Sequence, residues 1–187
     1  MRRRPRPSAR DWFGWARLTQ GAGYRRRERR LGQAVAKRQR ARHRHLQFTD
    51  SLCAQIAEVT VKPNGQVKVN RVTVALDARY MVNPRTIAEQ AEGAVIFSLT
   101  AALYGKITIK DGAAVQGNFD TYRMVRFAEA PKIDVHLVPS GGEVWGGAGE
   151  PATPPIAAAV ANAIFAATGK RLRSLPISDH DLTGSAA

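Results

Sequence analysis

The chain has 187 residues, 44% of them hydrophobic, and a mean hydropathy of -0.30. No apolar run reaches the roughly 18 residues that cross a bilayer, so no membrane-spanning helix is expected. Its single cysteine, Cys53, excludes an internal disulfide and any cysteine-built zinc or iron–sulfur site within the chain.

The net charge of +14 is unevenly placed. Residues 1–45 hold 16 of the 29 lysines and arginines and two acids, Asp11 and Glu28, so this segment carries +14 by itself. Residues 46–187 hold 13 basic and 13 acidic residues, which cancel. The chain therefore divides near His45 into a disordered arginine-rich arm, 1–45, and a neutral body, 46–187. Three readings of the arm stand side by side. Arginine clusters with Trp12, Phe13, Trp15 and Tyr24 between them suit a nucleic-acid backbone, through charge and stacking. A solvated tail is the second. The third is an out-of-frame translation, because arginine codons such as CGG and AGG give glycine when read one base later. Arg2-Arg3 has no apolar region behind it, so an export signal is rejected and the compartment stays open. His43 and His45 have only arginines around them and do not suggest a metal site.

In the body, Ala54 to Lys62 alternates as a half-buried strand. Pro63-Asn64-Gly65 predicts a hairpin turn, and Gln66 to Ala75 the return strand. Cys53 reads as a buried strand residue. Asp77 to Pro84 is a loop, and Asn83 or Thr86 caps a helix over Ile87 to Tyr104, whose apolar residues recur at three- and four-residue steps. Gly105 stops it. Strands are expected over 106–110 and 113–117 about an Asp111-Gly112 turn, then an irregular polar-aromatic stretch over 118–127. Lys132 to Pro139 forms another strand, with His136 on its outer face. A glycine-rich loop, 141–149, ends in Glu150, and a second helix starts behind Pro154-Pro155 and stops at Gly169. Ser174 to Ala187 reads as a loosely attached tail. Strands and helices without regular βαβ alternation predict an α+β fold.

The loop invites a functional reading but does not compel one. Five glycines in nine residues and a lone carboxylate also describe an ordinary surface turn. Gly147-x-Gly149-x-x-Ala152 formally fits a dinucleotide fingerprint. However, Pro151, Pro154 and Pro155 remove N–H groups that a pyrophosphate needs. Neither a phosphate-loop motif nor a Ser-His-Asp set is present.

Glu150-Pro-Ala-Thr-Pro-Pro-Ile, continuing to Gly169, resembles the C-terminal signature of the molybdenum-binding subunit of the xanthine dehydrogenase/aldehyde oxidase family. The isoquinoline 1-oxidoreductase beta-subunit type is the branch it is most similar to. Asn83-Pro84, Gln90-Ala91-Glu92-Gly93, Ala101 to Gly105 and Asn118-Phe119-Asp120 carry the likeness further, from about Leu46 to Pro176. The resemblance implies the C-terminal portion of a molybdenum-cofactor-binding domain. It places Glu150 on the family's catalytic base and Gln90 on a contact to the pterin. Gly147 and Gly149 fall where backbone would approach the metal centre, and no protein residue ligates the metal. A carboxylate shielded by cofactor and substrate suits a base.

The implied activity is hydroxylation of an N-heterocycle or aldehyde carbon with water-derived oxygen. Electrons would leave through iron–sulfur clusters, in a small two-iron two-sulfur subunit. The cofactor would be molybdenum-molybdopterin in its cytosine dinucleotide form. Ala148 replaces a common valine, and Arg79 replaces a common glycine near Asp77. A complete subunit of this family is several times longer. The chain is therefore expected to be a fragment lacking the N-terminal part of the same subunit, inactive and without cofactor on its own. A basic nucleic-acid-binding protein acting through 1–45 is the alternative, and a non-catalytic reuse of the fold a third reading.

Overall fold

The computed structural model describes residues 39–141 and 144–184, with side chains from Thr49 onward. The arm up to residue 38, the side chains of His43 and His45, and Gly142-Glu143 lie outside the described residues, as do 185–187. Among the described residues no helix is long and apolar enough to cross a membrane.

Strands β1 (Gln39–Phe48), β2 (Ser51–Val61), β3 (Val67–Asp77) and β6 (Lys132–Leu137) form one sheet in the order β1-β2-β3-β6. The first three are antiparallel neighbours, and β6 runs parallel to β3. A parallel pair needs a crossover. Helix α1 (Pro84–Leu103) and the excursion after it provide one, including the two-residue strands β4 (Ile109–Lys110) and β5 (Ala113–Ala114). Helix α2 (Pro155–Thr168) follows the glycine-rich loop and lies over β1 and β2.

Both helices cover the same face of the sheet. On β2 the alternate residues from Ser51 to Val61 point inward, and Cys53, Ala57, Val59 and Val61 join the core. Val69, Val72, Val74 and Leu76 do so from β3, after a bulge opposite Glu58 and Val59 shifts the register. Ile156, Val160 and Ile164 of α2 and Val95 and Leu99 of α1 are fully buried against them. His136 is on the other face, exposed and opposite Ala75. The mixture of sheet and helices is the expected α+β architecture.

Local signals place most of these elements. The Asn64 side chain accepts the Gln66 N–H at 3.1 Å and Gly65 turns at φ +80°. Asn83 caps α1 by accepting the Thr86 N–H at 3.2 Å. Gly169 closes α2 in the left-handed conformation, its N–H bonded to Phe165 O at 2.8 Å.

Three features differ from the sequence reading. The ladder with β2 begins at Gln39, so the boundary expected at His45 falls inside β1. Strands β4 and β5 are shorter than expected, since both are exposed and have no core face to extend along. The tail is anchored: Ile177 and Leu182 are buried in the main core, and Lys170 Nζ donates to Asp181 O and Thr183 O at 3.1 and 2.6 Å.

Candidate active site

The β1–β2 hairpin turns at Thr49-Asp50, both with positive φ, and the glycine-rich loop lies against it. Gly146 N–H donates to Ala78 O at 3.2 Å and Gly147 N–H to Thr49 O at 2.8 Å. Ser51 Oγ donates to Gly147 O at 2.6 Å. A Cβ on Gly147 would stand 2.5 Å from Thr49 Oγ1, and one on Gly146 would collide with Ser51 Oγ. These two glycines are required by the close approach of loop to turn.

Past Gly147 the chain rises to the surface and returns. Gly149 and Glu150 are exposed, whereas Pro151 and Ala152 are buried. Thr153 N–H donates to Glu150 O at 2.8 Å, which makes a tight turn directly behind the carboxylate residue. Gln55 Nε2, from the interior of β2, donates to Ala152 O at 2.6 Å.

Gln90 lies in the second turn of α1 and is exposed. With Gly93, Phe97, Gly149, Glu150 and Thr153 it lines an open depression of about 430 Å³. Gln90, Gly149 and Glu150 are thus brought together from segments 59 or more residues apart in sequence. A Cβ on Gly149 would lie 3.7 Å from Gln90 Oε1, an ordinary contact, so packing against Gln90 does not demand glycine there. Gly147 does not line this depression; it is backed onto the hairpin turn. The N–H groups of Gly147 and Thr153 are already used by Thr49 O and Glu150 O. A dinucleotide phosphate would find neither free.

Asp77 ends β3 nearby, 5% exposed. Its Oδ1 accepts Arg79 N–H and Ser140 Oγ–H, both at 2.9 Å. Arg79 holds φ +67°, the left-handed region that favours glycine, and its Nε donates to Asp50 O at 2.9 Å. The Asp77 turn therefore keeps its geometry despite the arginine. Cys53, between Ser51 and Gln55 on the inward row, is free and buried. Burial pushes its thiol up to about 12, against a weaker lowering by Gln55, so it is not a nucleophile at neutral pH.

Sequence reasoning singled out Gln90, Gly147, Gly149 and Glu150 but not Ser51 or Gln55. The available signal was two polar residues on the inward row of an otherwise apolar strand face. Among the described residues no cluster of three or more His, Cys, Asp or Glu could hold a metal ion. The depression offers a carboxylate for proton transfer and an amide that can both donate and accept.

A family model described as the molybdopterin cofactor-binding domain matches residues 8–131. That range begins inside the arginine-rich segment, includes Gln90 and stops before Glu150. A nicotinate dehydrogenase subunit from Pseudomonas putida is 39% identical over 142 residues, which are 74% of this chain and 12% of that protein. The beta subunit of isoquinoline 1-oxidoreductase from Brevundimonas diminuta is 30% identical over 131 residues, 70% of this chain and 17% of that protein. Aldehyde oxidoreductase from Desulfovibrio gigas shares the fold, with a TM-score of 0.58 and 27% identity over 68% of this chain and 14% of that one. The chain thus spans about a sixth or less of the length of these relatives. With two thirds of its residues inside the matched domain and relatives of one enzyme class on both sequence and fold, the chain belongs to the molybdopterin cofactor-binding domain family of molybdenum hydroxylases.

Proposed function

We propose that this chain contributes the base-bearing part of the large subunit of a molybdenum hydroxylase. The observation that carries the reading is the meeting of Gln90 and Glu150 in one open depression. The residues fit a pterin-borne metal. An exposed amide beside a bare glycine backbone suits the donor and acceptor edges of a pterin. When bound, the molybdenum cofactor supplies two-electron redox chemistry and water-derived oxygen.

The chain's own residues then have separate tasks. Gln90 would hold the pterin through its amide. Gly149 leaves the backbone bare beside it. Glu150 would accept a proton on a carboxylate oxygen, as a general base beside the bound cofactor. General-base assistance of this kind contributes about 10²–10⁴-fold. The substrate is an N-heterocycle or an aldehyde, the compound classes that the names of these relatives carry. Electrons would leave through the iron–sulfur clusters of a small two-iron two-sulfur partner. The cofactor would be the cytosine dinucleotide form. Phe97, a wall of the depression, is 70% exposed, so the described residues do not enclose a substrate. Activity and cofactor retention accordingly belong to the complete subunit.

A chimera tests this: residues 39–184, which keep β1 whole, replace the matching part of the nicotinate dehydrogenase subunit from Pseudomonas putida. The chimera is expected to hydroxylate substrate, and Glu150→Gln to lower kcat by about 10²–10⁴-fold at unchanged molybdenum content. An active chimera whose Glu150→Gln variant stays within tenfold or so of its parent rejects Glu150 as base. Near-stoichiometric molybdenum in the purified 187-residue chain would reject the retention statement.

The confinement of the +14 charge to residues 1–45 favours a second reading, nucleic-acid binding by that segment. Salt-dependent DNA binding that disappears on deleting 1–45 is its test.

A further inference from the structure

Ser51 and Gln55 are both fully buried polar residues on the helix-facing row of β2. Four residues of strand separate them by about 13 Å. Each donates a short hydrogen bond to a backbone carbonyl of the same loop, Ser51 to Gly147 O and Gln55 to Ala152 O, both at 2.6 Å. The two acceptors bracket Glu150. Between them Glu150 and Gly149 are exposed, while Ala152 is 1% exposed. Thus the carboxylate is presented on a short span whose two ends are tied to one rigid strand.

The local chemistry explains why these residues are costly to keep there unless they perform a task. Gln55 lies between Cys53 and Ala57 on the inward row of β2 and opposite Val74 of β3, and its Oε1 is buried without a hydrogen-bond partner among the described residues. An apolar side chain of the same length would bury no orphaned acceptor. What the amide adds is a directional tie to a carbonyl 97 residues away. Buried polar links of this type specify one arrangement where apolar packing would accept several. Gly146 and Gly147 serve the same end, since any Cβ there would push the loop off the Thr49 turn and off Ser51.

We propose that Ser51 and Gln55 are positioning residues that clamp the two ends of the Glu150 loop and fix where its carboxylate stands. The functional half of this statement rests on Glu150 being the base. The clamp itself does not, and the experiment separates the two. Amide hydrogen exchange is measured on the full 187-residue chain and on Gln55→Met and Ser51→Ala variants.

Gln55→Met is expected to speed exchange of the Thr153 amide by about tenfold or more, and Ser51→Ala that of the Gly147 amide. Amides of the β2–β3 ladder should change by less than about twofold, because the opening is local. Unchanged loop exchange in the folded variants overturns the clamp, as does a parallel rise throughout the ladder. If Gln55→Met does not fold, Ser51→Ala decides by itself. In the chimera both variants should lower kcat with KM unchanged, since the carboxylate is displaced while the depression remains. Loss of kcat in Glu150→Gln without loss in either clamp variant also overturns the positioning role. Faster loop exchange combined with a fully active Glu150→Gln chimera leaves the clamp standing and removes the base.

Discussion

Arg79 shows how a single residue can depart from its surroundings at a cost without breaking them. Its φ of +67° places a β-carbon where the backbone crowds it, and the Nε bond to Asp50 O offsets part of that strain at an exposed site. Arg79→Gly should therefore stabilise the chain by roughly 0.5–1 kcal/mol, reduced from the full strain by glycine's greater freedom when unfolded. The urea midpoint reads this directly. A lowered midpoint would mean that the bond to Asp50 outweighs the strain. Arg79 also shows what sequence alone can indicate: an arginine in place of a common glycine marks the position as unusual. The sign of the consequence needed φ, which only the folded turn shows, where the Arg79 N–H donates to Asp77 Oδ1.

At the scale of elements, helices α1 and α2 and the β2–β3 hairpin are legible in sequence because their causes are local. Apolar spacing of three and four residues, the Asn83 cap, Pro155 at the start of α2 and Gly169 at its end all act within a few residues. Strand β1 is not legible from 39 onward, since its arginines and histidines obscure any apolar alternation and its Thr49-Asp50 turn carries no glycine or asparagine. The tail is misread for another reason. Ile177 and Leu182 are isolated apolar residues with no periodicity, yet both are at most 3% exposed. Leu182→Ala should cost about 2–5 kcal/mol, the range for a fully buried leucine. Equilibrium unfolding followed by circular dichroism measures it, and a loss below about 1 kcal/mol would show that the tail is not part of the cooperative core.

For the whole molecule, the buried thiol links the core to pH. Cys53 ordinarily titrates at 9.0, and burial holds it protonated up to about 12 in the folded chain. Above pH 9 the unfolded state loses its thiol proton while the folded state keeps it, so unfolding is favoured increasingly as pH rises. The contribution is present below pH 9 and is lost between about 9 and about 12. Stability of the parent chain should therefore fall more steeply across that window than stability of Cys53→Ala. Denaturant midpoints taken at intervals through it provide the check, and parallel curves would contradict burial of the thiol.

By itself the sequence determined the α+β class, the two helices, the main hairpin, and the sign and location of the charge; four candidate site residues came from the family resemblance. It also carried the family likeness, which the domain match supports from about residue 46 to 131. Tertiary structure alone decided that Gln90 and Glu150 share a depression, that Gly147 belongs to the packing of loop on turn, and that Ser51 and Gln55 hold the loop's ends. These are juxtapositions across 60 to 98 residues of chain. Periodicity and capping record only what neighbours impose on one another within a turn or two. A hydrogen bond between a strand side chain and a distant carbonyl leaves no such trace, because it exists only once the sheet has brought both ends together.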